Sequence, residues 1–93
     1  MPIEFDPDKS SRNATDRGLP FSLVEGFDWD EAIVAQDLRK AYGEDRFIAV
    51  GPIGGLIHVV IYTLRGDNIR VISLRRANDR EVARYDQARS VLD

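Results

Sequence analysis

Apolar and polar positions along this chain follow two periods, and the change of period marks the elements. Arg46 to Pro52, Leu56 to Leu64 and Ile69 to Leu74 are rich in β-branched and aromatic residues, the composition of strands. Pro52-Ile53-Gly54-Gly55 and Gly66-Asp67-Asn68 separate them. Both links have hairpin chemistry and are too short for a parallel crossover, so the runs pair antiparallel. In the longest run, Ile57, Val59, Ile61 and Thr63 share one face, and Leu56, His58, Val60, Tyr62 and Leu64 share the other. Both faces are largely apolar, which predicts a central strand.

The flanks read differently. Ile3 to Phe5 predicts a short first strand. Asp6-Pro7-Asp8 is a helix start: Asp6 caps, Pro7 suits the first helical position and Asp8 complements the dipole. That helix runs to about Arg17 and stops at Gly18. Ala14 is its one clearly apolar residue, so it belongs on the surface. Ser22 is placed to cap a second short helix carrying Val24, Phe27 and Trp29, weakened by Gly26. Ile33 to Asp37 reads as a short strand and Leu38 to Asp45 as a loop. Asn78-Asp79-Arg80-Glu81 approaches a capping box, opening a helix to about Ser90 with Val82, Tyr85 and Arg89 on one stripe. The predicted fold class is α+β, an antiparallel β-sheet meander with two N-terminal helices and a C-terminal helix, the helices on one face.

Length makes 1–93 one domain, too small for separate nucleotide and substrate domains. The absence of cysteine excludes disulfides, thiolate zinc sites and cysteine nucleophiles. With one histidine and no calcium-loop spacing, no metal site and no cofactor are expected. The glycines near Pro52 form neither a dinucleotide fingerprint nor a Walker loop. The polar, acidic start MPIEFDPDKSS reads as no signal peptide, and no apolar run suits a bilayer, so a cytoplasmic, non-membrane protein is expected.

The net charge of −3 conceals an asymmetry. Residues 1–45 carry eleven acidic and five basic side chains, a net of −6, and residues 46–93 carry five acidic and eight basic, a net of +3. All eight of those bases are arginines, which clamp phosphates bidentately and stabilise developing charge. Simple alternation puts Arg70 and Arg75 on opposite faces of their strand unless a bulge intervenes. Arg80 and Arg84 lie one helical turn apart, and Tyr62 or Tyr85 could stack a base. His58 alone has an ordinary pKa near neutrality, so it is the candidate acid or base, although a histidine in an apolar strand also suits the core.

Phe5-Asp6-Pro7-Asp8-Lys9, Asn13, Gly18 and Phe21, then Gly43-Glu44-Asp45-Arg46-Phe47 and Gly51, resemble the BrnT toxin family. So do Tyr62-Thr63-Leu64-Arg65-Gly66, Arg70-Val71-Ile72-Ser73-Leu74-Arg75-Arg76-Ala77, Glu81 and Tyr85. The resemblance spans roughly residues 3 to 87. It implies a RelE-like fold and a type II toxin, a metal-independent endoribonuclease neutralised by a BrnA-like antitoxin, with DNA contacted only through that partner. Its chemistry is attack of a ribose 2′-OH on the adjacent phosphate, which needs positive charge near the phosphorane. Arg65, Arg70, Arg75 and His58 are the implied catalytic set, and Arg46, Arg76, Arg80, Arg84 and Tyr85 the implied RNA-binding set. Tyr62, Tyr85 and Glu81 are further candidates for proton transfer, Glu81 also as a helix-cap partner.

Two departures bear on activity. The family's Lys-His-Gly at the end of the first helix is Asp16-Arg17-Gly18 here, and the glutamate before the hairpin arginine is Leu64. They open an alternative, a catalytically weakened or inactive BrnT-like binding module acting only through its antitoxin. A third reading is a structural domain whose acidic N-terminal half docks onto a basic partner.

Overall fold

Glycine places both hairpins of the sheet. The structure, a computed structural model, describes residues 2–92. Its elements are β1 (Ile3–Glu4), α1 (Pro7–Arg17), 3₁₀ turns at Phe21–Gly26 and Trp29–Glu31, β2 (Ile33–Gln36), β3 (Arg46–Ile53), β4 (Leu56–Arg65), β5 (Asn68–Arg76) and α2 (Asp79–Leu92). Ile53 pairs with Leu56, leaving the two-residue loop Gly54-Gly55 with φ of 57° and 82°. Arg65 pairs with Asn68, leaving Gly66-Asp67 with φ of 58° at Gly66. Positive φ at both central residues, or at the first alone, matches the twist of the flanking strands.

The strand order is β1-β5-β4-β3-β2, and β4 is central as its two apolar faces predict. Strands β2 to β5 form the expected antiparallel meander. β1 instead pairs parallel with β5, Ile3 beside Ile69 and Glu4 beside Arg70, so the sheet is mixed.

One face of this sheet carries the core. Ala49, Val60, Tyr62, Ile69, Val71 and Leu74 pack against Phe21, Val24 and Phe27 of the N-terminal segment. The segment 21–26 is a 3₁₀ turn rather than an α-helix, and Ser22 does not cap it; Pro20 precedes it with no side-chain cap bond. Phe21 and Val24 are the residues it buries. α1 is as predicted: the Asp6 carboxylate accepts from the Asp8 amide, and Gly18, at φ 72°, donates to the Ala14 carbonyl. Its one buried residue is Ser10, whose hydroxyl accepts from the Phe21 amide at 2.9 Å.

α2 lies over the other face, beside Ile33 and Val50, so the helices do not all cover one side. The capping box is complete. Asn78 Oδ1 accepts from the Glu81 amide at 2.8 Å, and Glu81 Oε1 accepts from the Asn78 amide at 2.9 Å.

Gly51 in β3 answers a close approach. A Cβ there would lie 2.9 Å from the Phe27 ring and 3.2 Å from the Ala32 Cα. Gly51→Ala therefore forces Phe27 or the β2 lead-in to move. A loss of about 1–3 kcal/mol is expected, read as a lower urea midpoint with an unchanged slope.

Candidate functional site

Charge gathers on the face that α2 shares, and one irregularity in β5 puts it there. Ile61 pairs with Ser73 and the next residue, Tyr62, pairs with Val71, so Ile72 has no partner in β4. This is a β-bulge, and it reverses the alternation of side chains along the rest of the strand. Ile69, Val71 and Leu74 all remain in the core. Arg70, beside Thr63, and Arg75, beside Val59, fall on the same face. Simple alternation put them on opposite faces.

Pairing then sorts the arginines into rows. Arg46, Thr63, Arg70 and Glu4 lie side by side across β3, β4, β5 and β1. Four residues along β4, about 13 Å away, a second row holds Ile33, Val50, Val59 and Arg75. Arg65 follows Thr63 on the same face of β4 and is exposed at the hairpin.

Each arginine is held differently. Arg70 Nη1 lies 3.5 Å from the Glu4 carboxylate. Arg75 meets Glu81 end-on with both Nη atoms at 2.7 Å from the two carboxylate oxygens. That fork holds the Glu81 carboxyl well below the usual carboxylate range, pulled from 4.5 to about 2, and raises Arg75 further. Glu81 is thus the helix-cap partner and a member of the site together.

Arg46 stacks on the Tyr42 ring at 4.1 Å and approaches Glu44 at 3.5 Å, while its buried Nε has no hydrogen-bond partner among the described residues. Tyr42 is placed by Asp37, whose fully buried carboxylate also accepts from Arg39 Nε and Nη2, both at 2.8 Å, and from the Tyr42 hydroxyl at 3.1 Å. Arg39 drives the Asp37 pKa far down. Asp37 and Tyr42 hold Arg46 in place; the sequence pattern puts Asp37 at the end of a short strand and Tyr42 in a loop. The only local sign of them is an acid followed two and five residues on by an arginine and a tyrosine.

α2 completes the face. The Tyr85 hydroxyl donates to the Glu31 carbonyl at 2.6 Å, and Arg89 meets the Glu31 carboxylate at 2.8 Å. Burial pushes the Tyr85 phenol up, so it stays protonated at neutral pH. Ile33, Val50, Glu81, Arg84, Tyr85 and Ala88 enclose a groove of about 310 Å³ between α2 and the sheet.

Other candidates lie elsewhere. His58 is buried on the core face and donates Nδ1–H to the Leu56 carbonyl at 2.7 Å. Tyr62 is buried between Trp29, at 5.3 Å, and Phe47, at 5.5 Å, and desolvation raises its pKa. Neither shares the arginine face, so Tyr62 has no surface on which to stack a base. Arg76 pairs with His58 and is exposed at the end of β5 on the core side. Arg80 is exposed in the first turn of α2, one turn before Arg84. Among the described residues no cluster of three or more His, Cys, Asp or Glu could hold a metal, and no helix is long and apolar enough to cross a membrane.

A family model described as the ribonuclease toxin BrnT of a type II toxin–antitoxin system matches residues 5–81. No curated protein matches the chain. The matched span contains the arginines of both rows and ends at Glu81, in the first turn of α2.

The depressed Glu81 pKa makes a signed prediction. A carboxyl whose folded pKa lies below its unfolded value stabilises the fold above about pH 4.5 and loses that contribution as pH falls towards about 2. Glu81→Gln keeps a capping side chain but has no carboxyl to titrate. Between pH 6 and pH 3 the wild type should lose more stability than Glu81→Gln, by up to about 1 kcal/mol, in parallel urea titrations.

Proposed function

This chain belongs to the BrnT family of ribonuclease toxins of type II toxin–antitoxin systems, and from that membership we propose that it is a metal-independent endoribonuclease restrained by a BrnA-like antitoxin. The whole chain serves as one domain, and its sheet between N-terminal and C-terminal helices is a version of the RelE-like design. RNA is the substrate, and DNA is met only through the antitoxin.

The observation that carries this reading is the Arg75–Glu81 pair on the arginine face. A half-exposed ion pair of this kind contributes about 0–1 kcal/mol. A phosphate offers the same fork two oxygens and more charge, so it competes on favourable terms with the carboxylate. Once Arg75 turns to a phosphate, Glu81 loses the partner that depresses its pKa and becomes a stronger base. It then stands beside the bound phosphate, placed to take the proton of the neighbouring 2′-OH. The 2′-oxygen attacks phosphorus, Arg75 stabilises the charge that develops, and the 5′-oxygen leaves with a proton from solvent. The products are a 2′,3′-cyclic phosphate and a 5′-OH. Arg70 and Arg46 bind a more distant part of the strand, and Arg65 extends that end of the face.

The two departures from the family pattern lie away from this face. Arg17 donates to the Leu74 carbonyl from α1, and Leu64 pairs with Ile69 on the core side at the end of β4. Their position supports the active reading over an inert binding module.

Induced expression tests it. The wild type should arrest growth and fragment RNA, and co-expression of the antitoxin should restore growth. Arg75→Ala should lower cleavage about 100-fold or more, and Glu81→Gln should do so with the helix cap intact. Arg70→Ala should weaken RNA binding more than turnover. Unchanged cleavage in Arg75→Ala, Glu81→Gln and their double variant overturns the assignment.

A further inference from the structure

The groove between α2 and the sheet extends the arginine face, and its chemistry differs from the rest of that face. Its floor and walls are apolar, from Ile33 of β2, Val50 of β3, Ala88 of α2 and the Tyr85 ring. Its mouth carries Glu81 and Arg84. The Tyr85 hydroxyl bond to the Glu31 carbonyl pins that ring, and Arg89 on Glu31 holds the same turn of helix against the 29–31 segment. An aromatic ring held by its far end presents a fixed plane to whatever enters.

Two further facts identify the occupant. The groove, at about 310 Å³, is at the small end of ligand sites. Ile33, Val50, Val59 and Arg75 also form one row across the sheet, so the Val50 side of the groove floor lies two strands, about 10 Å, from the Arg75 backbone. Glu81 spans the interval, since it lines the groove and grips Arg75. A flat aromatic body in the groove, joined by a short linker to an anion at Arg75, is the shape of one nucleotide.

We propose that this groove is a nucleobase subsite, in which the base beside the phosphate held by Arg75 stacks on Tyr85 against Val50 and Ala88, with Arg84 at its mouth. The subsite sets which base flanks the cut. This rests on the ribonuclease reading above and adds to it a determinant of specificity outside the reacting groups. Arg84, Tyr85 and Ala88 lie beyond the span matched by the family model.

Two measurements on the full chain test it. First, adenosine 5′-monophosphate, uridine 5′-monophosphate and inorganic phosphate are titrated against ¹⁵N-labelled protein. A nucleotide should shift the amides of Ile33, Val50 and Ala88 saturably, while inorganic phosphate shifts only those around Arg75. Ala88→Phe and Val50→Phe, which fill the groove from opposite walls, should weaken the nucleotide response at least about fivefold. Second, cut sites in a random RNA pool are sequenced. Either filled variant should cut more slowly and lose the wild-type preference at the base flanking the cut.

Cleavage by the wild type without nucleotide shifts in the groove overturns the subsite and leaves the ribonuclease reading in place. Groove shifts without any RNA cleavage uphold the subsite and overturn that reading. Groove amides that ignore nucleotides but respond to the antitoxin assign the groove to a protein side chain and overturn the proposal. If one filled variant fails to fold, the other and the wild-type titration decide.

Discussion

The unpaired Ile72 decides where this protein keeps its charge. In a regular strand, Arg70 and Arg75 would project to opposite sides, and one guanidinium would enter the core. The bulge admits one extra residue, so Ile69, Val71 and Leu74 stay inside while both arginines emerge together. α1 braces the same place from the far side. Among the described residues β1 pairs only with Ile69 and Arg70, and the outer edge of β5 beyond them has no neighbouring strand. Asn13 Nδ2 donates to the Leu74 carbonyl at 2.9 Å and to the Leu19 carbonyl at 2.7 Å, and Arg17 reaches Leu74 at 3.3 Å. The polar helix thus supplies the bonds that a longer edge strand would have made.

The two faces divide the work. The core face holds the aromatic cluster of Phe27, Trp29, Phe47 and Tyr62 and the buried His58, groups whose chemistry is spent on packing. The other face is charged at one end, half-buried and apolar in the middle, and closed at the other end by α2. Polar contacts hold α2 down: Glu81 to Arg75, Tyr85 to the Glu31 carbonyl, and Arg89 to Glu31. Such contacts exchange readily with a charged ligand, whereas an apolar helix seam would not.

Legibility followed the range of the interaction. The Asp6 to Gly18 helix, both glycine hairpins, the central strand and the capping box at Asn78 were all readable because each depends on residues within a few positions. The bulge was not, because no glycine marks it and Ile72 is as good a strand residue as its neighbours. His58 and Tyr62 looked available because β4 is apolar on both sides. Their burial is set by Phe21, Val24 and Trp29, which choose one side of a symmetric pattern from far away in the chain. The groove was invisible for the same reason, since Ile33, Val50 and Ala88 belong to three separate elements. The arginines themselves were legible as a group, and the fold settled which of them share a surface.

The pairing of Ile3 with Ile69 has a consequence for how the chain is made. Ile3 and Glu4 must wait for a strand 66 positions later before their own place in the sheet exists. β3, β4 and β5 close through two-residue loops and β2 joins β3 through residues 37–45, so nearest-neighbour pairing runs ahead and the β1–β5 closure, the longest in the sheet, comes late. Glu4, the acid beside Arg70, arrives with that last strand. The row that ends in Glu4 is therefore completed only by that long closure, whereas the row that holds Arg75 forms without β1.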